Sequence, residues 1–205
     1  MRRTVALLGA SIIVAGALPR PAHAQRVEIG PFGSWQFGGG LDTQEGRIGI
    51  QADGAWGGVV DIWVRGDGLG ELLYSRQATA VTIAEPLQPA DTVVDVTVQY
   101  LHLGGLYEPA VGRVRPFAGA TAGLTWFDPD EAGFSGASRF SLSLVGGGKA
   151  YLARGIGLRA EARLFLTLFA DEAEVICRLP GACIIAVEGQ LMTQGAVSGS
   201  FFVAF

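Results

Sequence analysis

Beyond its first two dozen residues the chain has no continuous apolar run of eighteen, so no membrane-spanning helix is expected there. Histidine is nearly absent: there are two in 205 residues, His23 and His102. Cysteine is as scarce, with only Cys177 and Cys183, in the segment Cys-Arg-Leu-Pro-Gly-Ala-Cys. Two cysteines with no histidine near them cannot complete a tetrahedral zinc shell. No glycine-rich phosphate loop, nucleophile elbow or zinc-spaced cluster occurs, so no cofactor or metal site is expected. What remains is a chain that is 49% hydrophobic, with 31 glycines and its apolar residues distributed in some finer pattern.

The N-terminus reads as an export signal. Arg2 and Arg3 form a positive head, Val5 to Leu18 is apolar, and Pro19 and Pro21 break any helix. Ala22-His23-Ala24 is the small-x-small pattern of a signal-peptidase site. The apolar run is shorter than the roughly 20 residues a helical span needs, which disfavours an uncleaved anchor. Arg2-Arg3 does not continue into a twin-arginine motif, because Thr4-Val5-Ala6 follows. Residues 1–24 are therefore expected to be cleaved, leaving one domain over 25–205. Loss of three arginines leaves 12 basic residues against 19 acidic, a charge of −7. That balance argues against nucleic acid as a partner. An exported protein meets an oxidising compartment, so a Cys177–Cys183 disulfide is favoured, a loop clip contributing about 2 kcal/mol on the chain-entropy model.

The finer pattern has a period of two, which belongs to a strand with different surroundings on its two faces. It is clearest from Ile156, where Ile156, Leu158, Ala160, Ala162, Leu164, Leu166 and Leu168 share one face. Arg159, Glu161 and Arg163 share the other. Seven more stretches read this way: Arg26–Gly39, Gly54–Arg65, Leu69–Ala84, Thr92–Glu108, Arg115–Phe127, Ser138–Tyr151 and Gly189–Phe205. Gly66-Asp67-Gly68 signals a tight hairpin. Connections alternate: short near 66–68, 109–114 and 153–155, long near 40–53, 85–91, 128–137 and 170–188. The expectation is an all-β, closed antiparallel transmembrane barrel of about eight strands, up-and-down, with the short turns periplasmic.

Applying the same parity throughout places Arg65, Arg115, Arg139, Lys149, Arg159 and Arg163 inside, with Glu28, Asp61, Glu71, Asp95 and Glu161. The signs nearly balance, as a low-dielectric interior requires. Trp35, Phe37, Trp56 and Trp126 fall on the outer face near the long-loop rim, as an interfacial girdle does, although sandwich cores also place tryptophan near strand ends. His102 is expected to face outward, without the partner a general base needs. The loops are acidic, with twelve carboxylates against Arg47 and Arg178. Asp128-Pro129-Asp130-Glu131 could hold Ca²⁺, but a solvated acidic loop is the favoured reading.

The C-terminus, with Phe201, Val203 and Phe205 on one face, looks like the terminal signature of outer-membrane barrels. The mature chain resembles the small bacterial outer-membrane β-barrel family of the eight-stranded OmpA/OmpX-like type. Glu71-Leu72-Leu73-Tyr74-Ser75-Arg76-Gln77, Tyr100-Leu101-His102-Leu103-Gly104-Gly105 and Arg115-Pro116-Phe117 carry that resemblance. It implies a fold, a place in the cell outer membrane and recognition of the terminal aromatic by the barrel-insertion machinery. It implies no activity. Because the sequence ends at Phe205, no periplasmic peptidoglycan-binding domain is expected. The expected partners are outer-membrane lipid and lipopolysaccharide, and the expected state is a monomer. The expected role is structural or surface interaction through the long loops, not an enzyme. A narrow channel is the alternative, and a lipid-modifying enzyme a more remote one.

Overall fold

The computed structural model describes residues 26–43, 46–84, 92–109, 112–130, 134–169, 173–178, 182–187 and 190–205. The expected signal peptide, 1–24, lies outside them. Eight long strands form the barrel: β1 (Val27–Gly38), β4 (Asp53–Arg65), β5 (Gly68–Ala84), β6 (Thr92–Tyr107), β7 (Val114–Pro129), β9 (Ala137–Ala153), β10 (Ile156–Phe169) and β13 (Gln190–Ala204). Each pairs antiparallel with its neighbours, and β1 closes on β13. Following directly opposed residues from Val27 through Ile62, Gly70, Gly105, Ala120, Leu144, Leu164 and Gly195 returns to β1 at Phe37, ten residues further on. A shear of ten over eight strands tilts them by about 40°, which leaves an interior that side chains can fill.

Period-two alternation forms these strands because lipid and lumen ask for different side chains. On β10, Leu158, Leu164 and Leu168 are exposed on the outer surface while Arg159, Arg163, Phe165 and Thr167 are buried. The short turns use left-handed glycines, Gly66 (φ 57°) and Gly155 (φ 77°). Inside, Gly147 makes room for Phe117, since a Cβ there would lie 2.7 Å from the ring's Cζ.

The long connections carry strands that the sequence reading treats as plain loop. β2 (Gly40–Thr43) and β3 (Gly46–Ile50) form a hairpin that pairs with the upper end of β5. β8 (Phe134–Ser135), β11 (Ala173–Arg178) and β12 (Ala182–Val187) form a separate three-stranded sheet. These runs are too short for a periodicity to emerge against their flanks. The backbone of β11 and β12 places Cys177 directly opposite Cys183; their side chains lie outside the described residues.

Two inward assignments are corrected. Asp95 is exposed on the outer side of β6, because the parity of that strand is inverted from the reading above. Val94, Val96, Val98 and Tyr100 face the interior, and so does His102. The cause is physical: the upper lumen is apolar, so the upper half of β6 turns valines inward and Asp95 outward, the reverse of the polar-inside contrast, while Leu101 and Leu103 face outward lower down. Arg65 is exposed at the short-turn rim, where a register shift between Trp63 and Arg65 ends regular pairing.

Candidate functional site

Among the described residues, buried polar chemistry concentrates in the lumen, and it is layered. Nearest the short turns lies an ion cluster. Lys149 Nζ donates to Glu28 Oε2 and Asp61 Oδ2 at 2.7 Å each and lies 2.9 Å from Glu108 Oε2. Arg159 reaches Asp61 at 2.7 Å, and Glu71 and Glu161 at 2.5 Å each. Arg163 pairs with Glu71 at 2.7 Å and with Glu161 at 3.2 Å. Apart from Glu161, a small fraction of which is solvent-accessible, these carboxylates and cations are essentially inaccessible. Placing carboxylates between guanidiniums and an ammonium offsets the desolvation that any of them alone would suffer.

Aromatic rings wall this cluster. The Arg159 guanidinium lies 4.4 Å from the Phe117 centroid, and Lys149 Nζ lies 5.5 Å from that of Trp63. At the mouth, Tyr151 donates its hydroxyl to Glu28 at 2.5 Å, while Arg26 and Arg115 lie against the Tyr151 ring. Arg115 also pairs with Glu108 at 3.5 Å.

Above the ions comes a layer of hydroxyls around His102. Its Nδ1 is 3.0 Å from Thr121 Oγ1 and its Nε2 is 2.8 Å from Ser141 Oγ. Thr121 bonds Ser143 at 2.7 Å, and Ser143 accepts from Arg163 at 3.0 Å, which joins this layer to the cluster below. Thr125 donates to Ser141 at 2.8 Å. Higher still, Tyr100 donates to Gln194 at 2.6 Å, Gln194 to Gln77 at 2.9 Å, and Gln36 to Ser75 at 3.0 Å. These amides are set into an apolar upper core that includes Val96, Val98, Phe127, Phe165, Phe169 and Met192.

Against the sequence reading, the structure places Glu28, Asp61, Glu71, Arg115, Lys149, Arg159, Glu161 and Arg163 in or beside the ion cluster. Arg139 lies apart in the upper lumen, 5.9 Å from the Phe169 centroid. Glu108 and Arg26 belong to the cluster and are absent from that reading. Inverting the parity of β6 would have found Glu108, expelled Asp95 and turned His102 inward in one step. His102 is therefore a buried, hydrogen-bonded side chain of the lumen and not an interfacial one. It sits beside the Ser141 hydroxyl, and both side chains are completely inaccessible.

The outer surface is an apolar band. Ile29, Leu72, Leu103, Leu142, Leu158, Leu164, Val197 and Phe201 are all exposed on it. Trp35, Phe37 and Trp56 stand exposed near the long-loop ends of their strands, and Trp126 is half-buried at the same end of β7. Phe201 and Phe205 are exposed at the short-turn end of β13, with Val203 half-buried between them. A soluble protein does not leave so continuous a hydrophobic surface uncovered. Among the described residues, no three His, Cys, Asp or Glu side chains are grouped to hold a metal ion.

No protein-family model matches the sequence, and no curated protein is similar to it. Solved structures are similar in fold. Neisserial surface protein A matches with a TM-score of 0.58 at 13% identity, covering 87% of this chain and 97% of that one. The outer membrane protein OprG of Pseudomonas aeruginosa matches with a TM-score of 0.59 at 16% identity, over 89% and 96%. The outer membrane protein AlkL, determined in lipid bilayers, matches with a TM-score of 0.58 at 13% identity, over 93% and 96%. The fold is that of the small eight-stranded outer-membrane barrels.

Proposed function

We propose that this eight-stranded outer-membrane barrel is a closed, non-conducting scaffold that holds long loops at the cell surface for structural or interaction roles, and that it is not an enzyme. The observation that carries this reading is the ion cluster. Lys149, Arg159 and Arg163 are each locked to two or more carboxylates across the width of the lumen. A conducting lumen needs mobile, hydrated charge along its walls, whereas these groups satisfy one another. The burial of His102 and Ser141 supports the absence of catalysis. The long connections, acidic by sequence, all leave the barrel at one rim, where contacts with lipopolysaccharide or a partner would form.

The test is electrical. Folded protein in planar bilayers should give no stepwise conductance at voltages where porins do. Protease added to intact cells should cut within the long connections and leave the strands whole. Reproducible unitary steps would overturn the scaffold reading in favour of a narrow channel.

A further inference from the structure

A marked depression of the outer surface lies in the short-turn half of the barrel. It runs across β1, β13, β10, β9 and β7, with a volume of about 770 Å³. Its floor is made by Gly33, Gly148, Ala160 and Gly199, with Leu158 and Phe201 rising beside them. Gly33, Gly199, Ala160 and Gly148 oppose one another directly on four neighbouring strands, so the wall here is thinned by residues that have little or no side chain. Val114 closes the lower end, where β7 leaves its turn.

Two cations stand at that lower end. Arg113 directly precedes Val114, and its carbonyl accepts from the Tyr151 amide at 2.9 Å, which fixes the turn against β9. Arg154 lies in the turn between β9 and β10, two residues before Ile156. Both are exposed, and neither has an ion pair among the described residues. They differ in this from Arg26, Arg115, Lys149 and Arg159, which face inward and are paired. An apolar trough with unpaired guanidiniums at its foot matches a molecule with a hydrocarbon tail and an anionic head.

We propose that this groove binds one anionic phospholipid of the periplasmic leaflet, an acyl chain lying over Gly33, Gly148, Ala160 and Gly199 and the phosphate held by Arg113 and Arg154. The proposal rests on the reading of the chain as a membrane barrel with its short turns in the periplasm. Charge orients the assignment: the long connections are rich in carboxylates by sequence, whereas the short-turn rim exposes Arg65, Arg113 and Arg154 against one half-buried acid, Asp67.

The full chain is reconstituted in nanodiscs of equal phosphatidylglycerol and phosphatidylcholine, extracted in mild detergent, and weighed by native mass spectrometry. A one-to-one phosphatidylglycerol adduct is expected. Each surface arginine is worth a factor of about five toward an anionic lipid, so R113Q/R154Q should retain about thirtyfold less. G199L should also lose the adduct while keeping the gel mobility of a folded barrel. A Cβ at Gly199 meets nothing within 4 Å, so the leucine fills the groove without disturbing the wall. Equal retention of the two lipids, retention unchanged in both variants, or no retained lipid would each overturn the site. A dimer mass in place of a lipid adduct would assign the face to a second copy and overturn it too. A chain that fails to insert and shows no folded mobility would instead overturn the barrel reading on which this one stands.

Discussion

Replacing Lys149 with methionine keeps the length of the side chain and removes the one ammonium at the centre of the lower lumen. Lys149 is 1% exposed and holds Glu28, Asp61 and Glu108 within 2.9 Å. Without it, Glu28 keeps Tyr151 and a 3.6 Å contact with Arg26, Asp61 keeps Arg159, and Glu108 keeps only Arg115 at 3.5 Å. Glu108 is the most nearly stranded. Breaking a buried ion pair from one side costs about 3–5 kcal/mol, because the remaining charge has neither water nor partner. The remaining contacts of Glu28 and Asp61 place K149M toward the lower end of that range. Neutralising the stranded carboxylate in K149M/E108Q should then recover part of the loss, so the double variant is less destabilised than the sum of the two single ones. Urea titration of protein folded in lipid vesicles, followed by gel mobility, measures all four species of the cycle. If K149M unfolds within about 0.5 kcal/mol of the parent, or if the two substitutions simply add, the lower lumen is wet and the plug does not exist.

Further outcomes follow from the two faces of the wall. Leu164→Arg, outward and opposed to Leu144 and Gly195, should destabilise the inserted barrel by about 2–4 kcal/mol in the same titration. A neutral result would mean that this face does not meet lipid. His102→Leu should cost about 1–3 kcal/mol. The effect stays modest because Thr121 and Ser141 keep Ser143 and Thr125 as partners. A loss that abolished folding would show that the histidine holds more than its two hydroxyls. Unreduced mass spectrometry of exported protein should find Cys177 bonded to Cys183, and two free thiols would contradict the loop clip. Sequencing of the exported N-terminus should begin at Gln25.

The barrel was legible because lipid and lumen impose opposite demands on neighbouring residues, and the chain records that contrast most sharply at 156–169. There the charged triplet Arg159, Glu161 and Arg163 alternates with aliphatic residues, and both strand and facing can be read. On β6 the contrast is reversed in the upper half, since the upper lumen is itself apolar: Val94, Val96 and Val98 face inward, and Asp95 faces outward. The facing of that strand is set by what lies across the lumen, Phe165 stacked 4.0 Å from the Tyr100 ring and the hydroxyls around His102. No local pattern contains that information. Charge balance could not have supplied it, because turning β6 over exchanges an inward Asp95 for an inward Glu108 and leaves the number of buried acids unchanged. The pairing of acids with bases across strands depends on the shear of ten, which emerges only from the assembled registers. Arg65 shows the other limit, where a register shift beside a turn undoes parity in its last residue.

The central claim is that this chain closes into a barrel in the outer membrane, and gel mobility of the outer-membrane fraction before and after boiling tests it most directly. A closed eight-stranded barrel should resist detergent at room temperature and move to a different position once boiled. Recovery of the protein in the soluble periplasm, with the same mobility in both samples, would contradict the account.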